Sequence, residues 1–461
     1  MAVAITSGAG LTQARRASIF SRALSSPAVI VVVALLLRLG NIFWHHRYDI
    51  WPAYAHLFFG YEVGRIASAL ASGQGFSSPF PGWSGPTAWV GPVYPLLLGG
   101  IFKIFGIYST ASAIVILILN SIFSALTCLA VYKIGNELFD RRVGLWSAWV
   151  WAILPYAIGW SAVIWETSLS TLLLSTLFWM TLRLVHSSTA RTWAIYGLLW
   201  AVATLTSATA LAFLPVATLW LGRARKKQQH ASTHLLALSA LLFVAAVLPW
   251  MARNYVALGR PIFPRSNFGE ELYMGNHEGS EGLCMFWDHP VWNKYEMQRF
   301  SELGELAYVA EKQRIALEWI RQNPGRFVVL TFKRIAFFWF DIPLQGNLVA
   351  HLGIGSRHAV YFGAALLSFW GLWHAVRRRM RGAFLFAGLF LFYPLVYYVT
   401  HSHPRYQHPI TPEMLVISVF LLYSSAQEQP RFLRYGKRRT TATRRERLTE
   451  EASAMSPAGK N

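Results

Sequence analysis

Long apolar runs separated by short polar connectors organise this chain, and their spacing predicts helices that cross a bilayer. Runs at about 28–44, 108–133, 143–163, 167–185, 193–206, 208–222, 234–251, 358–376, 382–400 and 409–425 mostly approach the ~20 residues that span a hydrocarbon core. The pair 193–206 and 208–222 is short and reads as one tight helical hairpin. Two further apolar stretches fail the spanning test. Residues 92–106, PVYPLLLGGIFKIFG, are too short and run at once into a full span, so they predict a helix lying in the outer interface. Residues 326–341, RFVVLTFKRIAFFWFD, carry Lys333 and Arg334 mid-run and predict an interfacial or re-entrant helix. The aromatic end of that stretch, Phe337, Phe338, Trp339 and Phe340, suits the headgroup level.

Composition agrees with a lipid setting. Of 461 residues 54% are hydrophobic and only 14% charged, too little polar surface to coat a soluble globule of this size. The net charge of +21 is clustered at Arg15, Arg16 and Arg22, at Arg141 and Arg142, in 222–229, in 376–382 and from Arg431 to Arg447. Placing all of these in the cytoplasm makes ten spans alternate without conflict, with both termini cytoplasmic. A nucleic-acid groove is excluded because the basic clusters are scattered between spans and lack interleaved aromatics. The expected fold is an all-α integral membrane protein with about ten transmembrane helices and outer-face interfacial helices. Its domains would be a tail at 1–27, a polytopic domain at 28–425 with outer loops 45–107 and 252–357, and a basic tail at 426–461, expected to be disordered.

The first run exceeds a signal-peptide core and has no small-residue cleavage site at its end, so it predicts a retained anchor. Cys128 falls inside a span and Cys284 in an outer loop, which excludes a disulfide framework. Within the second outer loop, FSELGELAYVAEKQRIALEWIRQNPG predicts one helix ended at Asn323-Pro324-Gly325, with Leu306, Val309, Ala310, Ala316, Leu317 and Ile320 on its packed side.

That topology gathers chemistry on the outer side: Asp49, Glu62, Arg65, Glu166, Arg253, Asn254, Arg265, Asn267, Glu270, Glu271, Asn276, His277, His401, His403, Arg405, Tyr406 and His408. Aromatics and glycines accompany them, as in carbohydrate sites where rings stack on sugar faces. Glu62 lies on a short amphipathic segment with Leu57, Phe58, Tyr61, Ile66 and Leu70 toward its apolar side. It is either a surface ion pair with Arg65, three residues on, or a partly desolvated carboxylate fit to act as a general base. Asp49 is the competing catalytic carboxylate, alternatively a partner of Arg47 or a helix terminator. Glu166, at the mouth of an apolar span, is either a helix cap or a ligand for acceptor or metal.

Arg253 and Arg405 stand at outer span ends, where orientation disfavours cations. Their alternatives are phosphate binding and aromatic stacking or snorkelling. Asn254, Asn276, His403 and Tyr406 complete the candidate binding set. His401, His403 and His408 straddle two prolines and fit no helical ligand pair, so no metal site is assigned, and a divalent metal is left open as a cofactor.

The segments YEVGRIASALASGQGFSSPF, GPVYPLLLGGIFKIFG, GLLWAVATLTSATALAFLPVATLWL, PWMARNY with SNFGEELYMGNHEGSEG, and HPRYQHPITP, in that order, resemble the polytopic GT-C glycosyltransferases. The likeness is to the bacterial branch similar to protein O-mannosyltransferases and aminoarabinose transferases. It implies transfer of a sugar from a polyprenyl-phosphate donor to an unidentified glycan, lipid or protein acceptor at the outer face of the plasma membrane. It also implies that the first outer loop carries the catalytic acid. Two departures qualify it. Relatives carry Asp-Glu where this chain has Tyr61-Glu62, and a Lys before the Pro where it has Val90-Gly91-Pro92, so Glu62 carries over only as the second member of the pair. The missing aspartate leaves Glu62 and Asp49 as alternative bases, and the missing lysine shifts phosphate binding toward Arg253 and Arg405.

The rival reading is a flippase or other transporter. It would need a mid-bilayer polar pathway, for which Arg38 and Asn120 are the main visible groups.

Overall fold

The computed structural model describes residues 24–50, 55–228, 233–284, 286–341 and 355–428. The basic residues Arg15, Arg16 and Arg22 and the expected disordered tail from 429 lie outside them.

Each apolar run forms helix. The chain opens with α1 (Pro27–Trp44), α2 (Glu62–Ala71), α3 (Val93–Phe105), α4 (Thr110–Leu138), α5 (Arg141–Ile153) and α6 (Pro155–Ser161). It continues through α7 (Thr167–Leu184), α8 (Ala190–Thr206), α9 (Leu214–Lys227), α10 (Thr233–Leu258) and α11 (Phe268–Gly275). The remainder is α12 (Lys294–Leu303), α13 (Glu305–Gln322), α14 (Pro324–Phe340), α15 (Gly355–Arg377), α16 (Ala383–Phe392), α17 (Leu395–Val399) and α18 (Thr411–Glu428). Among the described residues the only β pairing is two isolated bridges.

Among the described residues four helical stretches are long and apolar enough to cross a membrane alone: Pro27–Trp44, Thr110–Leu138, Thr233–Leu258 and Pro404–Gln427. The α5–α6 pair, bent by 56°, makes a fifth if counted as one span. This is a multi-pass membrane architecture, but length and apolarity do not by themselves reach ten spans. The shortfall has physical causes. Helices α8 and α9 have 17 and 14 residues, and α16–α17 is broken at Tyr393-Pro394. Helix α7 interrupts its leucines with Ser168, Ser170, Thr171, Ser175, Thr176 and Thr181.

The ends of the bundle differ chemically. At one end basic residues bind free carbonyls: Arg141 donates to Ser25 O, Arg225 to Leu184 O and Ser187 O, and Arg381 to Leu182 O. The other end carries the long connectors before α3 and between α10 and α14. Between them, the two mid-bundle polar groups are held by structure. Pro155 has no N–H for the Trp151 carbonyl, and Arg38 supplies donors to Trp151 O, Ala152 O, Ala34 O and Ser124 Oγ instead. Asn120 donates to Val163 O and accepts from the Tyr94 hydroxyl.

Both short apolar stretches form helices, α3 and α14, but the loop between α10 and α14 departs from its reading. Its long helix is two, α12 and α13, broken at Gly304 where φ is 74°. Asn323-Pro324-Gly325 does end α13, with Asn323 as its C-cap, and Pro324 then starts α14 directly, as its fixed φ allows at a first helical turn. The buried stripe of α13 is Glu305, Tyr308, Val309, Lys312 and Ala316, while Ala310 and Leu317 are exposed. An apolar pattern misses that rotation because two of its core positions are charged: Lys312 pairs with Glu296, and Glu305 binds the first outer loop.

Candidate functional site

The turn into α2 sets the site. Gly60 has φ of 83° and Tyr61 of 50°, and a Cβ on Gly60 would lie 2.7 Å from Ile164 O. The glycine therefore lets the first outer loop pack on the segment before α7. This brings Glu62, in the first turn of α2, to the same cavity as Glu166 at the α7 N-cap. Glu62 is only 8% exposed. The helix N-terminus favours its charge, but burial outweighs that and raises its pKa to about 7. His289 Nε2 lies 3.3 Å from Glu62 Oε1. Burial lowers the imidazole to about 4, so near neutral pH the contact is one made by a neutral ring rather than an ion pair.

The cavity encloses about 1390 Å³ including its open mouth. Its polar side holds Glu62, Glu166, Glu271, Arg265, Arg405, His289 and His401. Tyr393, Val396, Tyr397, Ala208 and Pro409 supply a largely apolar wall from the membrane helices. The Arg405 guanidinium lies 4.2 Å over the Trp165 ring, leaving its edge for a ligand. Arg265 Nη1 is 3.8 Å from Glu271 Oε1. Burial would raise Glu271, but Arg265, His401 and Arg405 outweigh it and hold this carboxylate below the ordinary value. Glu166 goes the other way: burial raises it despite the opposing charge of Arg405. His401 Nε2 contacts the Tyr406 hydroxyl at 2.9 Å and Glu271 Oε2 at 3.5 Å. The stacked pair Tyr397–Tyr406, 4.1 Å between centroids, stiffens that wall.

Of the residues singled out in the sequence, Glu62, Glu166, Arg405 and Tyr406 line this cavity and six do not. Asp49 is exposed beside His46, at 3.7 Å. Arg65 makes no ion pair with Glu62 and lines a separate depression on the first outer loop. Arg253 donates to Thr87 O and Phe76 O and stacks near Phe76 and Trp250, so its charge clamps the first outer loop to α10. Asn254 is buried and donates to Ile262 O, bracing the turn after α10. Asn276 donates to Leu272 O and Val399 O and accepts from Arg334. His403 caps the helical turn that carries Arg405, accepting from the Arg405 N–H.

Arg265, Glu271 and His401 stood among the outer polar groups without a role, and the structure brings them into the cavity. His289 was not singled out at all: it sits in DHPVW, a loop with no periodicity to mark it. Among the described residues no group of three or more His, Cys, Asp or Glu side chains is placed to hold a metal ion.

Comparison with known proteins bears on this geometry. Residues 88–250 match the family model described as dolichyl-phosphate-mannose-protein mannosyltransferase. That segment contains Glu166 but neither Glu62 nor Arg405. A search of curated protein sequences finds no match. Among solved structures, the archaeal oligosaccharyltransferase AglB from Archaeoglobus fulgidus, in complex with an inhibitory peptide and a dolichol-phosphate, is 14% identical, with a TM-score of 0.50 over 94% of this chain and 52% of that one. The Archaeoglobus fulgidus oligosaccharyltransferase in complex with Zn and sulfate is 13% identical, with a TM-score of 0.48 over 87% and 49%. The chain spans about half the length of these structures, and the likeness is one of fold. Residues 88–250 are thus similar to that family, and the fold of the chain is similar to that of the archaeal oligosaccharyltransferase.

Proposed function

We propose that this protein is a membrane glycosyltransferase that moves a sugar from a polyprenyl-phosphate donor to an acceptor hydroxyl at the outer face of the plasma membrane. The observation that carries the reading is the cavity itself, in which the buried Glu62 shares space with Arg265 and Arg405 beside an apolar wall of membrane helices. A lipid-linked sugar suits such a space: the prenyl chain stays among the helices while the phosphate and sugar reach the polar side. In this reading all ten apolar runs cross the membrane, and the basic end of the bundle faces the cytoplasm.

The chemistry then follows from the side chains. Ionised Glu62 takes the proton of the acceptor hydroxyl as its oxygen attacks the anomeric carbon. The bond from that carbon to the phosphate oxygen breaks, and the lipid phosphate leaves with one more negative charge. Arg405 and Arg265 face that growing charge, which is where preorganised cations help most. His289 orients Glu62. The acceptor, glycan, lipid or protein, is not specified by these residues.

Purified protein offered a panel of polyprenyl-phosphate sugars and mixed acceptors tests the reading. Transfer that disappears in Glu62→Gln supports it, and no transfer from any donor by the wild type overturns it in favour of transport. The topology has its own test. Cysteines introduced at Gly279 and Gly85 should react with an impermeant reagent in intact cells, and ones at Lys226 and Arg378 should not.

A further inference from the structure

The first outer loop holds a second concave site, one helical turn from Glu62. Residues 76–87 close on themselves: the Ser78 N–H donates to Gly85 O at 2.9 Å and the Thr87 N–H to Phe76 O at 3.2 Å. The Ser77–Pro86 bridge forms the base of this loop. Trp83 stands at its tip, 65% exposed, beside a depression of about 740 Å³. The depression is lined by Arg65, Ser68, Gln74, Ser78, Trp83 and Tyr108.

Two of these polar groups lack the partners that buried groups ordinarily find. Ser78 is only 7% exposed and its Oγ has no hydrogen-bond partner, and neither does the buried Nε of Arg65. Glu62, the carboxylate nearest Arg65 in sequence, is engaged by His289 instead. The depression thus combines an exposed indole, a phenol, a guanidinium with an unused donor, an amide and hydroxyls. Indole and phenol faces stack on sugar rings, and the other groups suit ring hydroxyls and an acidic substituent.

We propose that this depression binds a saccharide unit bearing a negative charge, stacked on Trp83 with its acidic group toward Arg65. Glu62 and Arg65 are three residues apart on α2, so the depression and the cavity lie along the same helix. On the transferase reading, the depression is where an acidic glycan acceptor is held beside the cavity. The binding claim itself does not need that reading.

The test is calorimetric titration of the full-length protein in detergent with a uronic-acid disaccharide and with neutral mannobiose, neither requiring a donor. The charged disaccharide should bind more tightly. Arg65→Gln should erase the preference, and Trp83→Ala, at an exposed position where folding is not at risk, should weaken binding of both by about tenfold. Binding of neither saccharide, or equal binding of both, overturns the proposal. So does unchanged affinity in Trp83→Ala, which would leave Trp83 as an anchor in the headgroup layer. Saccharide binding without transfer would retain this site and sink the transferase reading; transfer without saccharide binding would do the reverse.

Discussion

Arg253 and Arg405 stand at the same end of the bundle, yet their charges are used in opposite ways. Arg253 gives its donors to the Thr87 and Phe76 carbonyls and its face to Phe76 and Trp250, so it is already saturated by its own chain. Arg405 lies flat on Trp165 and borders the cavity, with carboxylates nearby but none in close ion contact among the described residues. The first region is a clamp between the first outer loop and α10. The second is a preorganised positive surface. The same contrast separates the carboxylates: Glu305 accepts from Thr87 Oγ1, the Ala88 N–H and Ser266 Oγ, whereas Glu62 has His289 and open space. A cation or acid that is fully hydrogen-bonded by its own fold stabilises that fold and has little left to offer a ligand.

The largest effect that would sharpen this contrast is at Glu62. Glu62→Gln keeps the shape but cannot take a proton, so transfer should fall by roughly 10²–10⁴ while donor binding persists. Near-wild-type turnover in this variant would remove Glu62 from the chemistry. Glu305→Gln is the counterpart. It should loosen the first outer loop and lower the melting temperature, with any loss of activity following the loss of folded protein.

Next come the arginines. Arg405→Ala should cut transfer by about 10²–10³, the size of losing one preorganised donor to a developing anion, and Arg405→Lys should recover part of it. Arg253→Ala should instead reduce thermal stability and leave the KM for donor unchanged in the protein that stays folded. An Arg253 variant that is stable but donor-deficient would reverse the comparison.

Much of this division was legible in the residues, and the illegible part has a common cause. The apolar runs announced the helices because burial in lipid demands apolar side chains, and the polar connector before α3 does supply cavity-lining residues, Glu62 among them. Glu62 and Arg405 stood out as charges beside spans. What no pattern separates is a charge that meets a carbonyl from one that meets a cavity, because that depends on long-range contacts. Arg253 reads like Arg405 until Thr87 and Phe76 are found within reach. His289 sits in a loop without periodicity, and its value arises only when the fold carries it onto Glu62. The stripe of α13 was misread for the same reason: Lys312 and Glu305 are charged core residues whose partners, Glu296 and the Thr87–Ala88 backbone, lie elsewhere.

A smaller effect, in pH, probes how Glu62 is tuned. A base with a pKa of about 7 works only when ionised, so kcat/KM should rise with pH through about 7 and level off above it. His289 lies 3.3 Å from this carboxylate, and on the proposed reading, in which its neutral ring donates to ionised Glu62, His289→Phe should move the midpoint to higher pH. The sign for stability is opposite. A buried carboxyl raised from 4.5 to about 7 binds more protons folded than unfolded between those values, so its contribution to stability falls as pH rises through that window. Glu62→Gln should flatten that part of the pH–stability curve. A midpoint unmoved by His289→Phe would show that burial alone sets the base.

The smallest expected effect is the most decisive for the choice between the two carboxylates of the first outer loop. Asp49 is largely exposed and lies 3.7 Å from His46, a pair that solvent screens and that is worth little. Asp49→Asn should therefore leave transfer, donor KM and melting temperature within error of the wild type, because nothing in the cavity depends on its charge. The measurement is a parallel assay of Asp49→Asn and Glu62→Gln at a pH above 7, where Glu62 is mostly ionised and the base step is fully expressed. If Asp49→Asn loses more activity than Glu62→Gln, the loop between α1 and α2 must close over the cavity during turnover and deliver Asp49 as the base. In that case the buried Glu62 would be a proton-holding wall of the site, and the contrast between saturated and available charges would have to be drawn in the substrate-bound state.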